Sequence, residues 1–509
     1  MKGFVAAGHT LTCKAAAETL QNGGNAFDAA VAAGFASAVT EPTLSSPGGG
    51  GFLLAHVQKT GQDIVFDFFV NTPGKGLSQK IEPHFFPVTV DFKDSAQDFH
   101  IGMGSVAVPA ALKGFLHVHN RLGLLPLRQV LEPAIQYALN GVSLTRHQAG
   151  FLSMLKPIYT FSPFGKSLYE RQGLYVQAGD KVVNPAYGAF LHVLSRLGEG
   201  IFYDGFIANQ IEKDMKQGGG FVTREDLKTY RVEERTPFSI RYRDYEVVTN
   251  PLPASGGILI SLHLKLFKEA LRFHKLVAKG AKHLLTLCEV MKTVEELRQR
   301  EGGKLESIYD LKEKEILTFL WHLEQTFART SSGTTHISVL DSYGNAASMT
   351  ISNGEGSGYY VPGTGIMLNN MLGEDDLYPE GFHSIPPGMR VSSMMSPGFI
   401  KKDGQIQVVL GSGGSKRIKT AMLQVIVNLL EFNMTLQDAI ESPRIHLDDR
   451  QILQIEPGFD NNVIQQLTQH YSTNLWSEKN LYFGGVHAVS GSKDGWGDSR
   501  RGGSFIVPD

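Results

Sequence analysis

The sequence predicts an α+β protein in which helices and strands share one layered domain. Helix patterns dominate residues 1–333, and short strands with tight turns dominate 334–509. Strand patterns still occur early, at 62–71, and a helix pattern occurs late, at 416–432. Because both kinds of element occur on both sides of residue 333, one layered domain is favoured over two separate ones.

The first elements are two short helices between residues 11 and 40, separated by Asn-Gly-Gly-Asn. Gly23 or Gly24 suits a left-handed C-cap, and Asn25 suits the N-cap of the next helix. The second helix is rich in alanine and glycine, which predicts close packing against a sheet. A run of four glycines, 48–51, then enters a strand rather than a helix, so we interpret it as close backbone packing rather than a phosphate loop.

Later elements follow from periodicity and turn residues. Residues 110–330 are predicted to be mostly helical, with the clearest amphipathic helix pattern at 312–328. A strand is predicted at 245–250. Another at 405–414 ends in glycines and runs into the helix at 416–432.

The composition argues against nucleic-acid binding, membrane binding and metal binding. The 509 residues are 42% hydrophobic with a net charge of −2, so no basic surface field predicts nucleic acid or an anionic membrane as partner. Cys13 and Cys288 form no metal or disulfide pattern, and we expect both to be buried. The 17 histidines show no metal-binding spacing, so neither a metal nor another cofactor is expected.

The N-terminus does not predict a signal peptide, because its apolar run is short and His9, Lys14 and Glu18 soon follow. No apolar run is long enough to span a membrane. We therefore expect a cytoplasmic protein, with a trimmed secreted form as the open alternative.

A hairpin is predicted around the turn Ser-Tyr-Gly-Asn, in which Gly344 can take a positive φ. If Asp341 faces Asn345 across this turn, Thr334 lies opposite Ser352. A threonine hydroxyl needs a base to act as a nucleophile, and cutting the bond before Thr334 would free an α-amine that can serve. An ordinary Thr/Ser-rich hairpin is the competing interpretation, and the spacing alone favours it.

Three further segments have polar groups suited to a site. The loop 410–418 could hold an oxyanion with its free N–H groups, although a tight strand-to-helix turn explains it equally well. Serines at 390–397 could bind a carboxylate. Glu374, Asp375 or Asp376 could bind an ammonium group. Taken alone, both polar clusters are best interpreted as solvated loops.

Taken together, the segments resemble the γ-glutamyltransferase (glutathione hydrolase) family of N-terminal-nucleophile hydrolases. The likeness spans nearly the whole chain, and the order and spacing of its motifs make it specific. The motifs are NGGNAFDAAVAAGFASAVTEP, GGGGFLL, LEPAIQYALNGV, GGGFVTREDLKTY, PLPASGGILI, TTHISVLDSYGNAASMT, GIMLNN, SSMMSP and GSGGSKRI.

The resemblance implies a four-layer αββα sandwich and a proenzyme that cleaves itself between Gly333 and Thr334. The products would be a large subunit, 1–333, and a small subunit, 334–509, which together form the one αββα domain. Thr334 would then attack a γ-glutamyl amide such as glutathione. The acyl-enzyme would be resolved by water or by an acceptor amino acid or peptide.

The family's motifs also imply roles for other residues. Ser352 would be the hydroxyl beside the nucleophile, and Gly413 and Gly414 would form the oxyanion hole, with a shift to Ser415 left open. Ser392 and Ser393 would bind the substrate α-carboxylate. Glu374 would bind its α-amine, where typical members have aspartate.

Three substrate-binding positions depart from the family pattern. The segment 66–76 has no arginine after the early strand, Met371 replaces a glutamine, and Gly354 replaces an asparagine, although Asn353 is adjacent. These departures keep two other hypotheses open. One is an acylase for a different amide, such as a glutaryl compound. The other is an inactive, uncleaved binding protein.

Overall fold

Two antiparallel sheets form the centre of the computed structural model, which describes residues 1–79, 81–91, 96–273, 275–300, 333–374, 377 and 381–509. In spatial order, the strands of the first sheet are Glu233–Arg235, Gln62–Phe68, Gly50–Val57, Ala346–Ser352, Thr334–Asp341, Gly3–Ala7 and Ser504–Ile506. Those of the second are Phe238–Tyr242, Tyr245–Thr249, Gly398–Lys402, Gln405–Gly413, Gly485–Ser490 and Asp494–Gly497. The remaining described strands, in small sheets, are Phe86–Asp91 with Ala96–Ile101, Val142–Ser143 with Lys181–Val182, Glu170–Arg171 with Leu174–Tyr175, Tyr360–Val361 with Ile366–Met367, and Ile445–Leu447 with Ile452–Ile455 and Ser472–Leu475.

Helices surround these sheets. The α-helices described are Thr10–Gln21, Ala26–Thr40, Ala111–Leu122, Leu127–Asn140, Arg146–Met154, Lys156–Tyr159, Pro163–Tyr169, Pro185–Leu197, Gly200–Tyr203, Phe206–Gln217, Arg224–Thr229, Gly256–Ala270, Ala281–Arg300, Arg417–Leu430, Leu436–Glu441 and Asn461–Thr468. Short 3-10 turns lie at Met103–Ser105, Met371–Gly373, Leu481–Phe483 and Ser499–Arg501. The amphipathic helix expected at 312–328 lies outside the described residues.

The first two helices form as their capping residues predict. Gly23 has a φ of 91°, and Asn25 caps the helix Ala26–Thr40 in a reciprocal capping box with Asp28. Nearly all residues of this Ala-rich helix are buried, some against the strands Thr334–Asp341 and Ala346–Ser352 and others against neighbouring helices. The predicted packing of a small-residue helix on a sheet is confirmed.

The two central sheets pack face to face, so that Thr334–Asp341 of the first sheet contacts Gln405–Gly413 of the second. Ala26–Thr40 covers the other side of the first sheet, and Arg417–Leu430 contacts strands of the second. One hydrophobic core runs through these layers, as alternating apolar residues in both sheets require. Among the described helices, none is both long and apolar enough to cross a membrane.

Both cysteines are buried, as expected, and several histidines are buried as well. Burial lowers the pKa of His9, His283 and His487 to about 4, because the protonated ring loses its hydration. These side chains are therefore neutral in the folded protein at neutral pH.

We predict that the free energy of unfolding falls as the pH drops below about 6.5. The unfolded chain then takes up protons that the folded chain refuses, which costs about 2 kcal/mol for each such histidine at pH 5. Urea unfolding of a Thr334→Ala variant at pH 7.5 and pH 5 measures this loss. An unchanged or higher midpoint at pH 5 would contradict the assignment of neutral buried histidines.

Candidate active site

The hairpin that carries Thr334 has the register predicted from its turn. Thr334 pairs with Ser352 at one end of the antiparallel ladder. At the other end, the Asp341 N–H donates to the Asn345 carbonyl at 3.0 Å, and Gly344 has a φ of 92°. No bulge interrupts the ladder, so Thr334 and Ser352 lie opposite each other, as the residue count from the turn predicts.

The peptide bond between Gly333 and Thr334 lies directly against Ser352. The Ser352 hydroxyl donates a hydrogen bond to the Gly333 carbonyl oxygen. The Gly354 N–H in turn donates to the Ser352 oxygen at 3.0 Å, which fixes the rotamer of that hydroxyl. Thr334 and Ser352 are both buried. A fixed hydroxyl donor therefore polarises the carbonyl that a Thr334 hydroxyl would attack.

Gly333 is also held through its N–H group, which donates to Glu355 Oε1 at 2.9 Å. A β-carbon at this position would lie 2.6 Å from the Gly354 carbonyl oxygen and 2.7 Å from that of Thr43. Only glycine fits between these carbonyls without a shift of the backbone. Gly333 is thus restrained at its N–H group, at its carbonyl oxygen and at its α-carbon.

The predicted glycine loop closes over the Thr334 carbonyl. Gly413 ends the strand Gln405–Gly413, and a β-carbon there would collide with the carbonyl of Thr334. Gly414 follows with a φ of 126°, a conformation that other residues rarely adopt. The structure therefore brings the Gly413–Gly414 pair to the same end of the strands as Thr334 and Ser352.

Arg501 was missed by the sequence reasoning, although it contacts the same residue. Its Nη1 donates to the Thr334 carbonyl oxygen at 2.9 Å. Burial, followed by the nearby Arg417 cation, lowers the pKa of Arg501 to about 10, so it stays positively charged at neutral pH. The Asp-Ser-Arg-Arg run near the C-terminus carried no signal by itself, because its approach to Thr334 depends on the folded sheet.

Glu41 was missed as well and separates the roles of the two threonines. Its carboxylate accepts hydrogen bonds from Thr335 Oγ1 at 2.6 Å and Thr12 Oγ1 at 2.7 Å. Burial raises the pKa of Glu41 despite these bonds. The Thr335 hydroxyl is therefore engaged in structure, which agrees with the choice of Thr334 as the candidate nucleophile.

His336 follows the two threonines but serves packing. Its ring nitrogens contact Thr350 Oγ1 at 2.8 Å and Ser338 Oγ at 3.0 Å. Burial lowers its pKa well below the ordinary value. A β-carbon on Gly411 would collide with the ring, so the glycine makes room for it. The ring thus forms hydrogen bonds within the first sheet as a neutral group and packs against Gly411 of the second.

Two predicted substrate-binding residues lie on or against the loop after Ser352. A β-carbon on Gly354 would be 2.5 Å from Glu374 Oε1, so this carboxylate reaches the loop. Asn353 is buried, and within the described residues both polar atoms of its side chain have no hydrogen-bond partner. Unpaired buried amide atoms cost free energy unless a ligand or water satisfies them.

The predicted serine pair is not brought to Thr334 by any described contact. The exposed Ser392 donates to the Pro253 carbonyl at 2.8 Å, and Ser393 Oγ accepts from the Met395 N–H at 3.2 Å.

Another arginine lies against the segment 66–76, which lacks one of its own. Arg390 donates to the Phe69 carbonyl and to the Tyr230 hydroxyl, and it is 3.4 Å from Asp67. These protein groups occupy the guanidinium. Met371, another of the three departures, is buried in a 3-10 turn. Among the described residues, no cluster of three or more histidine, cysteine or acidic side chains could hold a metal.

Comparisons with known proteins identify the family of the chain. The family model for gamma-glutamyltranspeptidase matches residues 12–507. The chain is 31% identical to the acylase ACY 1 proenzyme of Pseudomonas sp. strain SE83, over 97% of this chain and 90% of that protein. It is 30% identical to the glutathione hydrolase proenzyme of Escherichia coli K12, over 92% and 84% of the two chains.

Solved structures show the same fold. Cephalosporin acylase from Bacillus halodurans superposes with a TM-score of 0.84 at 24% identity, covering 99% of this chain and 95% of that one. Helicobacter pylori gamma-glutamyltranspeptidase gives a TM-score of 0.52 at 26% identity, covering 63% and 91%. The chain belongs to the gamma-glutamyltranspeptidase family, whose members are N-terminal-nucleophile-type amidohydrolases and transferases.

We predict that Thr335→Val lowers the free energy of unfolding by about 1–3 kcal/mol, because the buried Glu41 carboxyl loses one partner. Thr335→Ser keeps the hydroxyl and should recover most of that loss. Urea unfolding of both variants, each in a Thr334→Ala background, measures the difference. Equal stabilities of the valine and serine variants would show that the hydrogen bond to Glu41 contributes nothing.

Proposed function

We propose that this protein is a self-processing amidohydrolase or acyltransferase with Thr334 as its nucleophile. Cleavage at Gly333–Thr334 gives a large subunit, 1–333, and a small subunit, 334–509. The observation that carries the proposal is the hydrogen bond from Ser352 to the carbonyl of the bond to be cut. The layer contacts described above also support a four-layer αββα sandwich.

Self-cleavage proceeds as an acyl shift followed by hydrolysis. Thr334 Oγ1 attacks the Gly333 carbonyl carbon, the C–N bond breaks, and the hydroxyl proton moves to the Thr334 nitrogen. Ser352 stabilises the oxyanion of this step through its hydroxyl. Water then hydrolyses the resulting ester, which leaves a carboxylate on Gly333 and restores the Thr334 hydroxyl.

The freed α-amine of Thr334 then acts as the base for turnover. Its ordinary pKa of about 7.7–8.0 suits proton transfer near neutral pH. The amine takes the proton of Oγ1 as the hydroxyl attacks the donor amide, and it returns that proton to the leaving amine. Gly413 and Gly414 stabilise the oxyanion with backbone N–H groups. Arg501 orients Thr334 through its carbonyl.

The donor we favour is a γ-glutamyl compound such as glutathione, with water or an acceptor amino acid or peptide resolving the acyl-enzyme. Glu374 would hold the α-amine of the γ-glutamyl substrate, and polar atoms of the same substrate would pair with the Asn353 side-chain amide. Ser392 and Ser393 would bind the substrate α-carboxylate. The buried position of Glu374 beside Gly354 supports this assignment.

An acylase for a different amide is the second candidate. The segment 66–76 has no arginine to bind a substrate α-carboxylate. The guanidinium of Arg390, which lies beside it, contacts Tyr230 and Asp67 instead. The likeness to an acylase proenzyme and to a cephalosporin acylase favours the same candidate. An inactive binding protein is less consistent with a residue before the scissile bond, Gly333, that is held both at its N–H and at its carbonyl.

We predict that purified protein separates on a denaturing gel into fragments spanning 1–333 and 334–509. Thr334→Ala should remain one full-length band, because no hydroxyl can attack Gly333. Thr335→Ala should still be cut. N-terminal sequencing of the smaller fragment locates the cut. A Thr334→Ala protein that splits at the same bond would refute self-cleavage by Thr334.

We predict that a γ-glutamyl anilide is hydrolysed faster than the matched glutaryl anilide, which lacks only the α-amine. A Glu374→Gln variant should raise KM for the γ-glutamyl compound while leaving KM for the glutaryl compound nearly unchanged. Initial rates with both anilides measure this. Equal or faster turnover of the glutaryl compound by the unmodified enzyme would favour the acylase.

A further inference from the structure

Glu355 lies two residues beyond Asn353 and contacts Gly333, the residue before the scissile bond, at a different group from Ser352. Ser352 contacts the Gly333 carbonyl, whereas Glu355 Oε1 accepts the N–H of the same residue at 2.9 Å. The carboxylate is buried, with 3% of the residue exposed. A buried carboxylate thus contacts the backbone of the residue that supplies the carbonyl carbon.

The loop that carries Glu355 is itself fixed. The backbone N–H groups of Glu355 and Gly356 both donate to Asn370 Oδ1, at 2.9 and 3.1 Å. The Gly354 N–H binds the Ser352 hydroxyl on the same loop. One short segment therefore presents both a donor for the Gly333 carbonyl and an acceptor for the Gly333 N–H.

An intramolecular attack on an amide requires the carbonyl carbon to stay close to the attacking oxygen in one orientation. With a hydrogen bond at the carbonyl oxygen alone, the backbone of Gly333 could still rotate about that bond. A second contact at the N–H removes that rotation, since the two bonds lie on either side of the Gly333 α-carbon. Hydrogen bonds to a charged acceptor are roughly twice as strong as neutral ones.

We propose that Glu355 is a positioning residue for self-cleavage, holding the Gly333 N–H so that the Gly333 carbonyl stays within reach of Thr334. This role rests on the proposed self-processing function and adds to it. Glu355 exchanges no proton in this role. Its contribution belongs to the uncut chain, where Gly333 is still joined to Thr334.

The test is the rate of self-cleavage of freshly purified full-length chain, followed on denaturing gels. Glu355→Ala removes the acceptor and should slow cleavage by about ten-fold or more. Glu355→Gln keeps an acceptor oxygen without the charge, so its rate should lie between those of the alanine variant and the unmodified chain. Glu296→Ala, which truncates another buried glutamate, on the helix Ala281–Arg300, should cleave at the unmodified rate.

Loss of folding is separated from loss of positioning by thermal unfolding of each variant in the Thr334→Ala background. If Glu355 acts by positioning, the cleavage rates of variants with equal thermal unfolding midpoints should still rise from alanine to glutamine to glutamate at position 355. A Glu355→Ala chain that cleaves within about twofold of the unmodified rate would overturn the proposal, as would a glutamine variant as slow as the alanine one. An unmodified chain that never cleaves would instead refute the self-processing function itself.

Discussion

The antiparallel pairing of Thr334 with Ser352 is the constraint on which the rest of the site depends. It places the serine hydroxyl on the Gly333 carbonyl, and it aligns the loop after Ser352 with the segment before Thr334. The face-to-face packing of the sheets then brings Gly413 onto the Thr334 carbonyl. A one-residue slip of either strand would turn its hydroxyl residue to the opposite face and separate Thr334 from Ser352, so the chemistry depends on the register.

A buried arginine and a buried glutamate contact the first two residues of this hairpin. Arg501 binds the Thr334 carbonyl, and Glu41 binds the Thr335 hydroxyl. Because both groups are buried, each is costly unless its partners are in place. The first two residues of the strand therefore have little freedom, as the proposed role of Thr334 as a nucleophile at a new chain end requires.

Much of this arrangement could be predicted from the sequence, and the rest depends on contacts distant along the chain. The turn at Gly344 set the pairing of Thr334, and the caps at Gly23 and Asn25 set the early helices, because both signals are local. Arg501 and Glu41 were not found, since nothing near them in sequence indicates what they contact. For Ser392 and Ser393, the family motif predicts a role, but their described contacts are with neighbouring loops.

The most direct test of the account is intact-mass analysis of the small fragment after rapid acid quenching of its reaction with a γ-glutamyl or glutaryl anilide. The account predicts a transient mass increase equal to the acyl group on fragment 334–509, located by peptide mapping to Thr334. An acyl group on any other residue, or a fragment that begins elsewhere, would contradict the assignment of Thr334 as the nucleophile.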